Sequence, residues 1–187
     1  MMTSQLSVDC VARDTRILMA NGLERLVQYV KRGDMIAGDI DHSKKYRVAR
    51  VIHNRLSGMT PISMIKINAD ALGYYQPSIE TIISSNHPIF YNDSRYTAKA
   101  FRKNKEIKYF SKSKTLARDI LPVNNDDSYS LYNIQFEVDG YFVANGLVVD
   151  SLSPFSTILP LPRELYFDDG LYENPIKNTK PILKKKL

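Results

Sequence analysis

Apolar residues in this chain come in short alternating runs, each closed by turn-forming residues, and this pattern restricts the fold more than any other feature. Tyr46 to Ser57 (YRVARVIHNRLS) partly alternates apolar and polar residues, as a strand with one buried face does. Pro61 to Asn68 (PISMIKIN) repeats the pattern, with Ile62, Met64 and Ile65 predicted to face inward. Ser78 to Ser84 (SIETIIS) is rich in β-branched residues, which suit a pleated surface. Leu131 to Val138 alternates again and places Tyr132, Ile134, Phe136 and Val138 on one face. Tyr141 to Ala144 and Leu147 to Val149 flank Asn145-Gly146, a pair that tolerates the positive φ of a tight hairpin. Only Leu23 to Lys31 has helical spacing, with Leu23, Leu26, Val27 and Val30 on one stripe and Gly33 where a helix would stop. A second helical turn is predicted at Thr115 to Ile120, ended by Pro122. Many strands and little helix predict a mainly-β fold and disfavour an alternating βαβ enzyme.

The chain has 187 residues, 43% of them hydrophobic and 25% charged, which suits one domain or one domain with a tail. That apolar share excludes a wholly disordered chain. A single cysteine, Cys10, excludes internal disulfides and a Cys-rich zinc site. No run approaches the roughly 18 apolar residues of a membrane span. MMTSQLSVDC lacks the basic start and apolar core of a signal peptide, so an intracellular setting, cytoplasm or virion, is expected. No cofactor fingerprint or metal-ligand cluster is present in the sequence, and no cofactor is expected. The net charge of +6 invites a nucleic-acid reading. The excess, however, sits largely in Arg102 to Lys114 and in Lys184, Lys185 and Lys186, with no nucleic-acid-binding motif beside it. A solvated face with a basic tail is the favoured reading, and nucleic-acid contact through that tail the lesser one.

The character changes after Asp150. Pro154, Pro160, Pro162, Pro175 and Pro181 account for five of the nine prolines, and regular elements cannot run far through such spacing. Phe155, Ile158, Leu159, Leu161, Leu165, Tyr166, Phe167, Leu171 and Tyr172 are apolar anchors within the same stretch. The chain is therefore divided into a lead peptide 1–9, a domain 10–151 and an irregular extension 152–187. The extension is expected to dock on the domain or on a protein partner.

Three features can carry chemistry. Cys10 is either an inert buried side chain or a nucleophile. Ser84-Ser85-Asn86-His87 follows a β-rich run and precedes Pro88, which puts His87 at a strand boundary. A hydroxyl three residues before an imidazole can converge with it across a turn, or Ser84 and Asn86 can simply cap local backbone. The third feature, Tyr132 to Ser151, reads by itself as a β-hairpin.

Taken in order, the three resemble the blocks of the Hint family, the hedgehog and intein autoprocessing module. Cys10, Asp14, Thr15, Asn21, Gly22, Gly33 and Asp34 fit its opening of cysteine, Asp-Thr, a strand, an Asn-Gly turn, a short helix and Gly-Asp. Ser84 to Phe90 is similar to its Thr-x-x-His block, with Ser84 in the threonine position and His87 in the histidine position. Asn133 to Val149 is similar to its closing block, ending in Ala-Asn-Gly and a hydrophobic run. The resemblance implies a Hint-like β fold with pseudo-two-fold halves.

It further implies an N-to-S acyl shift, in which the Cys10 thiol attacks the Asp9 carbonyl and a thioester replaces the Asp9–Cys10 amide. His87 would protonate the leaving nitrogen, and Ser84 would hold the geometry or stabilise the oxyanion. The departures lie in the closing block. Asp150 and Ser151 occupy the positions of the intein's final Asn and the nucleophile after it, Asp139 replaces an additional histidine, and Asn133 stands where many inteins carry an Asp. Full splicing is therefore not expected. Two functions follow: self-cleavage at Asp9–Cys10, or a catalytically inactive Hint-like fold serving as a structural subunit of a larger assembly such as a virion. The small peptide that cleavage would release and the docking character of 152–187 favour the second.

Overall fold

The structure, a computed structural model, describes residues 9–154. The lead peptide before Asp9, the apolar anchors from Phe155 onward and the terminal lysines lie outside the described residues. The described chain is built mainly of short strands: β1 (Val11–Ala12), β2 (Arg16–Leu18), β3 (Glu24–Leu26), β4 (Met35–Ala37), β5 (Lys45–Leu56), β6 (Met64–Ile67) and β7 (Thr81–Ser84). They continue as β8 (Pro88–Tyr91), β9 (Ser94–Thr97), β10 (Ile107–Phe110), β11 (Tyr129–Phe136), β12 (Tyr141–Ala144) and β13 (Leu147–Asp150). One short helix, α1 (Ala117–Ile120), and 3-10 turns at Val27–Tyr29 and Ala98–Phe101 complete the elements. The strands form two sheets, one in the order β10-β6-β7-β1-β11-β5-β4 and the other β3-β2-β12-β13-β8-β9. The named pairings in both are antiparallel.

Side-chain alternation explains how the seven-stranded sheet is buried on both faces. Val11, Ile65, Ile67, Ile83, Ile134 and Phe136 join Ile17, Ile89, Phe142, Leu147 and Val149 of the other sheet in one core. Cys10 and Ala12 beside Val11, Met64 beside Ile65, and Leu131 beside the core residue Tyr132 point the opposite way, into a second cluster with Leu56, Ile62, Ala117 and Leu121. β11 crosses the middle of this arrangement, and every residue from Ser130 to Phe136 is buried. The long β5–β11 ladder, Tyr129↔Leu56 to Phe136↔Val48, fixes which side chains reach the start of β1.

Two expectations need correction. Leu23 to Lys31 is not a helix: Glu24–Leu26 pairs with Arg16–Leu18 across the Asn21-Gly22 turn, and only Val27–Tyr29 coils. The backbone N–H of Val27 donates to the Thr15 carbonyl, so pairing with β2 outweighs the local helical spacing. Leu23, predicted on the buried stripe, is 67% exposed. Val138 is likewise exposed, because β11 breaks register between Gln135 and Phe136 and ends there. The basic stretch Arg102 to Lys114 contains β10, whose Ile107 pairs with Ile67 and is buried. The hairpin at Asn145-Gly146 and the helical turn before Pro122 form as predicted. Among the described residues no helix is long and apolar enough to cross a membrane.

Candidate active site

The Asp9–Cys10 amide lies at the entry to β1, a central strand flanked by β7 and β11. Both neighbours grip it. From β7, Ser84 Oγ accepts the Cys10 N–H at 3.1 Å, and the Ser84 N–H donates to the Cys10 carbonyl at 2.8 Å. From β11, Asn133 Nδ2 donates to the Asp9 carbonyl oxygen. Asn133 Oδ1 accepts the Ile134 N–H at 2.7 Å, which turns the NH2 end of the side chain toward Asp9.

His87 sits below this amide because Ser84 to His87 make a tight turn between β7 and β8, closed by His87 N–H to the Ser84 carbonyl at 2.9 Å. The imidazole is fully buried and packs edge-on to Phe142. Its Nε2 lies 2.9 Å from the Asp150 carbonyl oxygen. A carbonyl can only accept, so Nε2 carries the proton and Nδ1 presents a bare lone pair. Nδ1 is buried without a hydrogen-bond partner. The Cys10 backbone lies beside the ring, near enough to favour its cation but without hydrogen-bond geometry. Burial pushes the His87 pKa down to about 4, the Asp150 and Cys10 backbones partly oppose this, and the Arg95 charge adds to it. The ring is neutral near pH 7.

Cys10 Sγ accepts a hydrogen bond from Asn54 Nδ2 on β5 at 3.3 Å and is otherwise enclosed by the second apolar cluster. Burial pushes the thiol well above its ordinary range, Asn54 partly offsets this, and the Asp9 charge adds to it. Burial also pushes the Asp9 carboxyl up to about 6, with Asp150 raising it further and Arg95 pulling it down. Among the described residues, buried side-chain atoms without a hydrogen-bond partner are Asp9 Oδ1, Asn54 Oδ1, His87 Nδ1 and Arg50 Nε. The first three belong to side chains around the same amide. Unsatisfied buried polar atoms are costly, and three of these four gather around one peptide bond.

No family model matches the chain, and no curated protein matches it in sequence. Solved structures do match in shape. A mutant of an Ssp DnaB mini-intein variant superposes with a TM-score of 0.51 at 12% identity, over 82% of this chain and 97% of that one. The bacterial intein-like domain of Clostridium thermocellum superposes with a TM-score of 0.50 at 12% identity, over 78% of this chain and 100% of that one. The fold is that of the Hint domain.

In this Hint-like fold Cys10, Ser84, His87, Asp9 and Asn133 converge, together with the Asp150 carbonyl. The Ser84 side chain turns to Cys10 instead of serving only as a local cap. Ser151 is directed elsewhere: its hydroxyl donates to the Gly140 carbonyl at 2.8 Å. The Asp150 carboxylate pairs with Arg95, whose Nε donates at 3.1 Å. Asn54 is a site residue that sequence reasoning misses; the available signal is an amide in the otherwise alternating run Tyr46 to Ser57. His53 stands apart from the site, bonded to Ser130 Oγ at 2.8 Å and stacked on Tyr132. Among the described residues no group of His, Cys, Asp and Glu is placed to hold a metal ion.

Proposed function

We propose that this Hint domain converts its Asp9–Cys10 amide into a thioester and is cleaved there, without splicing. The observation that carries the reading is the two-sided grip on that one amide, Asn133 on the carbonyl oxygen and Ser84 on the nitrogen. Cys10 Sγ attacks the Asp9 carbonyl carbon, and Asn133 Nδ2 supports the charge that develops on the oxygen. The thiol proton passes to the neutral His87, whose Nδ1 is buried without a hydrogen-bond partner, and from there to the departing nitrogen. The Ser84 hydroxyl keeps that nitrogen in place and can turn from acceptor to donor once the amine forms. Asn54 favours the thiolate by donating to sulfur. Splicing would also need a cyclising side chain and a second nucleophile at the far end, where Asp150 is paired with Arg95 and Ser151 bonds to Gly140.

The complete burial of Cys10 favours a second reading, an inactive domain acting as a structural subunit that docks through 152–187. Intact masses of the full chain and of Cys10→Ala, with and without dithiothreitol, separate the two. Thiol-dependent loss of residues 1–9 from the parent alone supports cleavage. Identical intact masses in every condition leave only the structural reading.

A further inference from the structure

We infer that the Asp9 carboxylate is the built-in nucleophile that resolves the thioester, cutting the chain through a five-membered cyclic anhydride. The inference rests on the thioester reading above and names what consumes that intermediate. One oxygen of the Asp9 carboxyl, Oδ1, is buried without a hydrogen-bond partner, at the residue whose carbonyl Asn133 holds. An orphaned carboxylate oxygen costs stability, so its retention beside a scissile bond calls for a chemical role.

Connectivity supplies the geometry. Attack of an Asp9 carboxylate oxygen on the Asp9 carbonyl carbon closes a ring through Cγ, Cβ and Cα. Such an attack is intramolecular and needs rotation about only two bonds. The carboxyl, facing Asp150 and Arg95, is raised only to about 6 and is therefore ionised near pH 7. It would not cut an amide readily, but a thioester is a better acyl donor with a better leaving group.

The step balances. The carboxylate oxygen bonds to the Asp9 carbonyl carbon, the carbon–sulfur bond breaks, and Cys10 leaves as a thiolate that takes up a proton. Water then opens the anhydride at either carbonyl. Both openings give the same residue 1–9 peptide ending in Asp9 with free α- and β-carboxyls.

The two openings differ in where the oxygen of water arrives, and that provides the test on the unaltered chain. Uniformly 13C-labelled protein is allowed to cleave in 18O-water without thiol, and the 18O-induced shifts of the Asp9 carboxyl carbons are read by NMR. Label in both α- and β-carboxyl supports the anhydride; label in the α-carboxyl alone overturns it. A second measurement compares thiol-free release with dithiothreitol-driven release by intact mass. In Asp9→Ala the ratio of the first to the second should fall about ten-fold or more. A ratio equal to the parent's overturns the inference and leaves the thioester standing. If dithiothreitol releases nothing from the parent, both fall together.

Discussion

Asn133 holds the Asp9 carbonyl as an oxyanion-hole donor would, with its own orientation set by the Ile134 N–H. Asn133→Ala should therefore slow dithiothreitol-driven release by about 10²–10³-fold, the cost of one such donor, while the chain stays folded by circular dichroism. His87 makes a pH prediction. Its pKa is about 4 folded against an ordinary 6.5, so between those values the unfolded chain binds the extra proton. The contribution is present above pH 6.5, is lost as pH falls toward 4, and is flat below. In urea titrations the stability of the parent relative to His87→Gln should drop by about 3 kcal/mol across that window. A difference that is constant with pH would mean that the ring is not buried neutral. Cys10, Ser84 and His87 are legible in the sequence because each stands in an ordered block of residues. Asn54 is not, because it reaches Cys10 Sγ only through the pairing of Leu131 with both Asn54 and Ala12.

The β12–β13 hairpin shows what local sequence fixes at the scale of an element. Asn145 and Gly146 both take positive φ, and the Asn145 side chain accepts the Arg16 N–H at 2.7 Å and donates to Thr81 Oγ1 at 2.9 Å. Because β2 lies in one sheet and β7 in the other, this hairpin tip ties the two sheets together. A Cβ at Gly146 would strike the Tyr75 carbonyl oxygen, whereas one at Gly33, also at positive φ, would meet nothing within 4 Å. Gly33→Ala should therefore cost about 1 kcal/mol from backbone strain alone, and Gly146→Ala more, about 3 kcal/mol. Equal losses in thermal unfolding would show that the Tyr75 loop yields freely. The hairpin is readable because its turn chemistry is local. The region Leu23 to Lys31 misleads because its partner strand, β2, is supplied across a turn, and apolar residues at 23, 26, 27 and 30 satisfy helix and hairpin patterns alike.

At the scale of the molecule, the domain does not end with its last strand. The Leu152 N–H donates to the Ile134 carbonyl at 2.9 Å, and Gln135 Nε2 donates to the Ser153 carbonyl at 2.5 Å, so 151–154 lie along β11. A chain stopped after Pro154 keeps these bonds. One stopped after Asp150 loses them, a cost of about 1–3 kcal/mol. The second truncation also reaches the candidate site. The Asp150 carbonyl oxygen that faces His87 Nε2 becomes part of a terminal carboxylate, which replaces a dipole with a full negative charge. A neighbouring anion favours the imidazolium, so the His87 pKa should rise from about 4 toward the ordinary value. Following the His87 ring carbon protons by NMR across pH 3–8 in the two truncated chains reads this directly. A titration that stays in place when Asp150 becomes the terminus would show that its carbonyl does not sense the ring, and with it the link between the two ends of the domain through His87 would be lost.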